Sequence, residues 1–387
     1  MWPSSRFPVA CSSWRRFLGR RPERSSGGSW PRPARRSEAD LKFVVLGAGA
    51  TGGLLGAHLA RVGEEVTLIA RGPQLAALRS QGLRVTGISG DFTVHPECTE
   101  ELTPIGSADA VFLTVKAHSL PPLAERLGAA LGPQTSVFSA QNGIPWWFFS
   151  GFGGTWEGTT LQAVDPGGVI SQNIDARRVV GCIVYPAARI SEWGVVEHLE
   201  GNRISLGEPT GGTSARTAEV SAALRRAGFK APVPQRIRPE LWLKLLGNAS
   251  FNPISALSRA TLEEITSSDG AVPLVRAVME EVELIGRELG LELPVGIEKR
   301  IQGAGRVGGH KTSMLQDVES GRPLELGATV GALVELAQIM EIQVPHLEVL
   351  YSLASLLDRS LQRTRVLSPE PAAGTAPSPP RSTRAAE

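Results

Sequence analysis

Cysteine is scarce in this chain: Cys11, Cys98 and Cys182 are the only three, too far apart for a disulfide framework or a zinc site. Their scarcity points weakly to a reducing compartment. No run of about 18 apolar residues occurs, so no membrane span is expected. A strong charge of one sign is also missing, with 40 Lys and Arg against 38 Asp and Glu, a formal balance of +2. Much of that excess comes from an Arg-rich N-terminus. The remainder carries no basic signature, and no nucleic-acid partner is expected. No internal repeat is visible. What remains is material for two ordinary cores: 387 residues, 42% hydrophobic and 20% charged.

Residues 1–40 form a segment rich in Arg, Ser and Pro, whose first acidic residue is Glu23. The stretch Trp14-Arg15-Arg16-Phe17-Leu18-Gly19-Arg20-Arg21 resembles an organelle transit peptide. A competing explanation is coding bias or a start assigned too far upstream. Only six of the 40 basic residues are Lys, which leaves 34 Arg across the whole chain. The expected location is therefore cytoplasmic, with the mitochondrial matrix as the alternative. The tail, residues 366–387, is Pro-rich with small residues and reads as disordered.

Between these segments the pattern is that of an α/β chain. Leu41 to Leu46 is a short apolar run ending at glycine, the signature of a buried parallel strand. Helical spacing follows from Thr51 to Val62, and Val66 to Ala70 is a second buried strand. Ala110 to Val115 and Ser136 to Ala140 repeat the strand type, with a helical stretch near Leu120 to Leu131 between them. This alternation predicts an N-terminal Rossmann-type doubly wound sheet domain over residues 41–235. Within it, Val179 to Leu206 reads as antiparallel strands, followed by a helix near Ala215 to Ala227. An all-α C-terminal domain is expected over 236–365, with helices at Pro239–Asn252, Gly270–Leu289, Glu325–Met340 and Pro345–Leu361.

Gly47-Ala48-Gly49-Ala50-Thr51-Gly52 stands directly after the first strand and opens the first helix. The first glycine permits the tight turn, the second lets backbone approach a pyrophosphate, and the third lets helix pack on strand. The helix N-terminus offers free N–H groups and partial positive charge to phosphates. At the end of the second strand an NAD site would place Asp or Glu against the ribose hydroxyls. This chain has Ala70-Arg71 there, and a guanidinium pairs with a 2′-phosphate, so the expected cofactor is NADPH/NADP. The plainer alternative is a solvated loop arginine.

Lys244, Asn248 and Asn252 are spaced by four and share one helix face. Asn disfavours helix interiors, and Gly247 costs about 1 kcal/mol against Ala, so this stretch spends stability on something other than folding. The alternative is an amphipathic surface helix that Asn252 merely stops before Pro253. A lysine on such a face suits keto reduction, where charge grows on a carbonyl oxygen and an ammonium stabilises and protonates it.

These residues, with Thr114-Val115-Lys116-Ala117, Gln141-Asn142-Gly143, and Ser313-Met314-Leu315-Gln316-Asp317 followed by Glu325, resemble the ketopantoate reductases (2-dehydropantoate 2-reductases) of the 6-phosphogluconate dehydrogenase-like superfamily. The resemblance covers roughly residues 42–360. It implies that Lys244 protonates the substrate ketone, that Asn248 and Asn252 hold its polar groups, and that Ser313, Met314, Leu315 and Gln316 bind its carboxylate end. It further implies that Asn142 touches nicotinamide and substrate, and that Arg71, Lys116, Ala188 and Glu325 contact NADP. Other roles stay open: Lys116 as a solvated residue past a strand end, Asn142-Gly143 as a turn, Ser313 and Glu325 as ordinary residues of helix N-termini.

The chain also departs from the family pattern. Many relatives carry a further substrate-contacting Asn-Gly where Ala260-Thr261-Leu262 stands, and an Ile-Asp pair where Leu326-Gly327 stands. The run Ile144-Pro145-Trp146-Trp147-Phe148-Phe149 is longer and more aromatic than in compact members, as either a lid or a packed insertion. These departures bear on the substrate and leave the reaction type intact. The expected activity is NADPH-dependent reduction of ketopantoate to pantoate, toward coenzyme A, with no metal involved. The alternatives are reduction of another branched 2-keto acid and a non-catalytic NADPH sensor. The superfamily often dimerises through its helical domain, so a homodimer is the partner to test.

Overall fold

The computed structural model describes residues 41–367; the leader and the tail from Ser368 lie outside the described residues. The chain opens with β1 (Lys42–Leu46), α1 (Ala50–Arg61), β2 (Glu65–Ile69) and α2 (Gly72–Gln81). Three short strands follow, β3 (Leu83–Gly87), β4 (Phe92–Val94) and β5 (Glu97–Thr99), then β6 (Ala110–Leu113), α3 (Ala124–Ala130) and β7 (Ser136–Ser139). After α4 (Val169–Asn173) come β8 (Val179–Val184), β9 (Ala187–Glu192), β10 (Val195–Glu200), β11 (Ile204–Gly207) and α5 (Ala215–Arg226). The rest is helical: α6 (Arg238–Ser258), α7 (Leu262–Thr266), α8 (Ala271–Glu288), α9 (Ile297–Gly305), α10 (Ser313–Glu319), α11 (Ala332–Ile339) and α12 (Pro345–Leu367).

The main sheet has seven strands in the order β11-β8-β7-β6-β1-β2-β5. The chain leaves β1 toward β2 and returns on its other side to β6, so the order reverses beside β1. In open α/β sheets that crevice, beyond the carboxyl ends of the strands, is where ligands bind. Alternate residues of each strand serve two cores. Phe43, Val45, Phe112 and Phe138 pack under α1 and α5, whereas Val44, Leu46, Val111, Leu113 and Val137 join the core that continues into the helical region.

The texture from Val179 onward is more divided than expected. β8 is parallel to β7, pairing Val137 with Val179 and Ser139 with Gly181, and extends the main sheet. Its six residues are all buried, as a parallel strand covered on both faces requires. Among the strands from Val179 onward only β11 on β8 and the β9–β10 pair are antiparallel, and β9–β10 belong to a second sheet of order β4-β3-β10-β9 that packs against α1.

The central helix α6 does not stop at Asn252. It continues through Pro253 to Ser258 and ends at Arg259 in the left-handed region, φ 64°. Proline removes one intrahelical hydrogen bond, but the turn after it is anchored by the buried Ile254, Ser255 and Ala256. Trp242, wholly buried, donates from Nε1 to the Val282 carbonyl at 3.1 Å and ties α6 to α8. The aromatic run after β7 is packed into the core. Trp147 donates to Ser139 Oγ at 2.6 Å, and the Phe148 ring lies 5.7 Å from that of Trp242. Arg238, at the start of α6, locks the run by donating to the carbonyls of Phe148 and Ser150, each at 2.7 Å.

Candidate active site

The glycine turn leaves β1 with Gly47 at φ 109°, a conformation that favours glycine. Gly47 and Ala48 both donate to the Ile69 carbonyl, at 3.0 and 3.2 Å, which pins the turn to the end of β2. A side chain at Gly52 would strike the Gly47 carbonyl and the Thr114 hydroxyl, itself bonded to Gly47 O at 2.8 Å. Helix α1 begins immediately, with no side-chain cap and no acidic residue in its first turn. Its amino end therefore keeps the free N–H groups and positive potential that phosphate binding uses. Arg71 is exposed, two residues past β2, at the start of α2. Ala188 lies on β9, opposite His198 in the second sheet.

Three further strand ends lie at the same edge of the sheet as this turn. Lys116 and Ala117 follow β6, Gln141 and Asn142 follow β7, and Tyr185 follows β8. From the helical side, α6 brings Lys244. Its ammonium donates to Asn142 Oδ1 at 2.8 Å and to the Val184 carbonyl at 2.6 Å, with the Tyr185 ring centroid 5.9 Å away. An ammonium has three donors, so one remains for the cavity lined by Gln141, Asn142, Leu241, Lys244 and Asn248. Burial pulls the Lys244 pKa down to about 8, with the Arg300 charge acting in the same direction and Glu325 opposing both.

Glu325 arrives just before a wide turn, Gly327–Gly331, that leads into α11. One carboxylate oxygen accepts from the Ala117 amide at 3.1 Å, the other from Asn142 Nδ2 at 3.3 Å. Asn142 thus presents oxygen to the lysine and nitrogen to the glutamate, an orientation fixed by its two neighbours. Lys116 is partly exposed but not free. It forms an ion pair with Asp317 and donates to the Pro323 carbonyl at 3.2 Å, clamping the end of β6 to α10.

Asn248 lines the cavity, and Asn252, one turn further, is buried on the same helix. Ser313 is exposed on α10, and the cap of that helix is Thr312, whose hydroxyl accepts from Leu315 N at 3.2 Å. Met314 and Leu315 are buried in the helical core, and Gln316 donates to the Lys311 carbonyl at 3.1 Å. Several groups at the site had no marker in the sequence. The Val184 carbonyl and Tyr185 were hidden because β8 read as antiparallel. Gln141 was visible only as part of a motif, yet both polar atoms of its side chain are buried without a partner. Arg300 lies on α9, a helix the periodicity did not reveal.

A glycine turn at the switch point of a mostly parallel sheet, with a partly buried lysine from a helical region at the same edge of the sheet, defines a dinucleotide-dependent oxidoreductase class. Comparison narrows it. The profile of the family described as Ketopantoate reductase PanE/ApbA matches residues 43–146, and that of its C-terminal part matches 236–358. The 2-dehydropantoate 2-reductase of Mesorhizobium japonicum is 44% identical over 318 residues, 82% of this chain and 98% of the relative. A solved ketopantoate reductase, described as putative, from Ralstonia solanacearum superposes with a TM-score of 0.78 at 37% identity, covering 83% of this chain and 99% of its own. The chain belongs to the ketopantoate reductase family. A D-mandelate dehydrogenase solved with NADH and anilino(oxo)acetate shares the fold, at 19% identity and a TM-score of 0.71 over 83% of this chain and all of its own.

Proposed function

We propose that this chain reduces ketopantoate to pantoate with NADPH. The observation that carries the reading is the Lys244 ammonium, held by Asn142 and the Val184 carbonyl at the sheet edge that also carries the glycine turn, with one donor left for the cavity. Gly47 to Gly52 and the first turn of α1 would cradle the pyrophosphate, and Arg71 would pair with the 2′-phosphate. When bound, the cofactor supplies the hydride that reduces the keto carbon. Lys244 holds the keto oxygen, stabilises the charge that grows on it and delivers the proton that completes the hydroxyl. Asn142 fixes the lysine, and Glu325 fixes Asn142 while keeping the ammonium protonated. Asn248 and Asn252 supply amides for the substrate's polar groups, and Ser313 and Gln316 stand at the helix expected near its carboxylate end.

Reduction of a different branched 2-keto acid is favoured by one feature. Where many relatives carry a substrate-contacting Asn-Gly, Thr261 caps α7 in a reciprocal box with Glu264. Purified protein should oxidise NADPH with ketopantoate in a panel of 2-keto acids. Faster turnover of another acid would replace the substrate, and NADPH binding without turnover of any acid would defeat the enzyme reading.

A further inference from the structure

Arg300, on α9, lays its guanidinium against the backbone of α6 at Gly247. A methyl group at 247 would collide with Nη2 and stand 3.0 Å from Cζ and Nε, so the missing side chain there is the space the guanidinium fills. Gly247 follows Lys244 by three residues and precedes Asn248 by one, and residues three or four apart on a helix are neighbours about 5–6 Å apart. Arg300 therefore stands over the same face as the proton-donating lysine, and the two cations sense each other: Arg300 is among the charges lowering the proton affinity of Lys244.

A half-buried guanidinium normally forks onto carboxylates or carbonyls. Arg238, similarly half-buried, donates to three carbonyls, those of Phe148, Ser150 and Pro209. Arg300 has nothing equivalent. Its Nε is shut away from water without an acceptor, and among the described residues it forms no ion pair. The carboxylates of the neighbourhood are engaged elsewhere, Glu240 with Arg203 and Ser205, Glu325 with Ala117 and Asn142. A buried charge without a counter-charge is costly, and a bound anion would remove that cost.

We propose that Arg300 anchors the carboxylate of the substrate. The proposal rests on the reading of this site as a 2-keto acid reductase. In a 2-keto acid the carboxylate is one bond from the keto carbon. Two cations over consecutive turns of one helix face suit that pair: Lys244 for the keto oxygen, Arg300 for the carboxylate. The site would then select 2-keto acids over neutral ketones, with charge from α9 added to whatever α10 contributes through Ser313.

The test compares ketopantoate with its neutral methyl ester in the wild type and in Arg300→Met, Arg300→Lys, Gly247→Ala and Ser313→Ala. Arg300→Met should raise KM for the acid by about 10- to 100-fold, the effect of losing charge-assisted bonds. KM for the ester and for NADPH should stay within about twofold, so the acid-over-ester preference collapses. Arg300→Lys should recover part of it. Gly247→Ala, which displaces the guanidinium without deleting it, should reproduce the loss even if Arg300→Met folds poorly. An undiminished preference in both Arg300→Met and Gly247→Ala, or a loss that falls on KM for NADPH, overturns the proposal. Calorimetric binding of pantoate separates this from failure of the reductase reading. A wild type that binds pantoate but reduces no keto acid defeats only that reading, and binding lost in Arg300→Met still supports the anchor. Unchanged binding in Arg300→Met overturns it.

Discussion

Lowering the Lys244 pKa from 10.5 to about 8 places a proton donor in the range where its occupancy can be measured. Burial is the main cause, and the Glu325 carboxylate beyond Asn142 works against it. A general acid must be protonated, so kcat/KM for reduction should be level below about pH 7, half its plateau near pH 8, and about one-tenth of it at pH 9. A lysine at 10.5 would leave the profile level to about pH 10. The reverse reaction, oxidation of the hydroxy acid, needs the free amine and should rise through the same window. Neighbouring groups do not titrate there. Burial pushes the Cys182 thiol up to about 12, raises Tyr185 as well, and lowers His118 beneath its ordinary value. The informative perturbation is Glu325→Gln. It keeps the shape and removes the carboxylate that favours the ammonium, so the break should move to lower pH and the loss should be largest near pH 8. Initial rates across pH with saturating NADPH measure both profiles. A wild-type break above about pH 10, or a break that moves upward in Glu325→Gln, would refute this account of the lysine.

Three further outcomes follow from named contacts. Lys244→Ala should lower kcat by about 10²-fold or more while NADPH still binds, measured by turnover beside a thermal-shift titration; near-normal turnover removes Lys244 from the chemistry. NADPH should exceed NADH by at least about tenfold in kcat/KM, and Arg71→Ala should erase most of that margin by weakening NADPH, since a charge-assisted bond is worth about 1.5–3 kcal/mol. Equal efficiency with both cofactors in the wild type would refute the role given to Arg71. Phe148→Ala should cost about 3–5 kcal/mol in denaturant unfolding, because its fully buried ring packs on Trp242; a cost below about 1 kcal/mol would mean that the insertion does not carry the core.

What could be read from the sequence was whatever local chemistry dictates. The turn at Gly47 and the strand ends after β6 and β7 are written in contiguous residues, and the Lys244 face follows from helical spacing alone. The errors lie where tertiary packing overrides a local rule. Pro253 reads as a stop, yet the buried turn after it carries α6 on to Ser258. β8 reads like its antiparallel successors because its neighbours in the sheet cannot be seen in its own six residues. That single misplacement hid the Val184 carbonyl, which shares the lysine with Asn142. Gly247 shows the same limit from the other side. Its cost to the helix was legible, but its reason was not, because the guanidinium that fills the space comes from a helix fifty-odd residues away in sequence. The site lies where four strand ends meet a helix that belongs to another part of the chain. Each strand end can be read singly, whereas the charges they exchange exist only after folding. The same holds for the lysine's chemistry: its identity is a property of one position, but its pKa is set first by the burial that folding imposes, with Glu325 and Arg300 pulling in opposite directions.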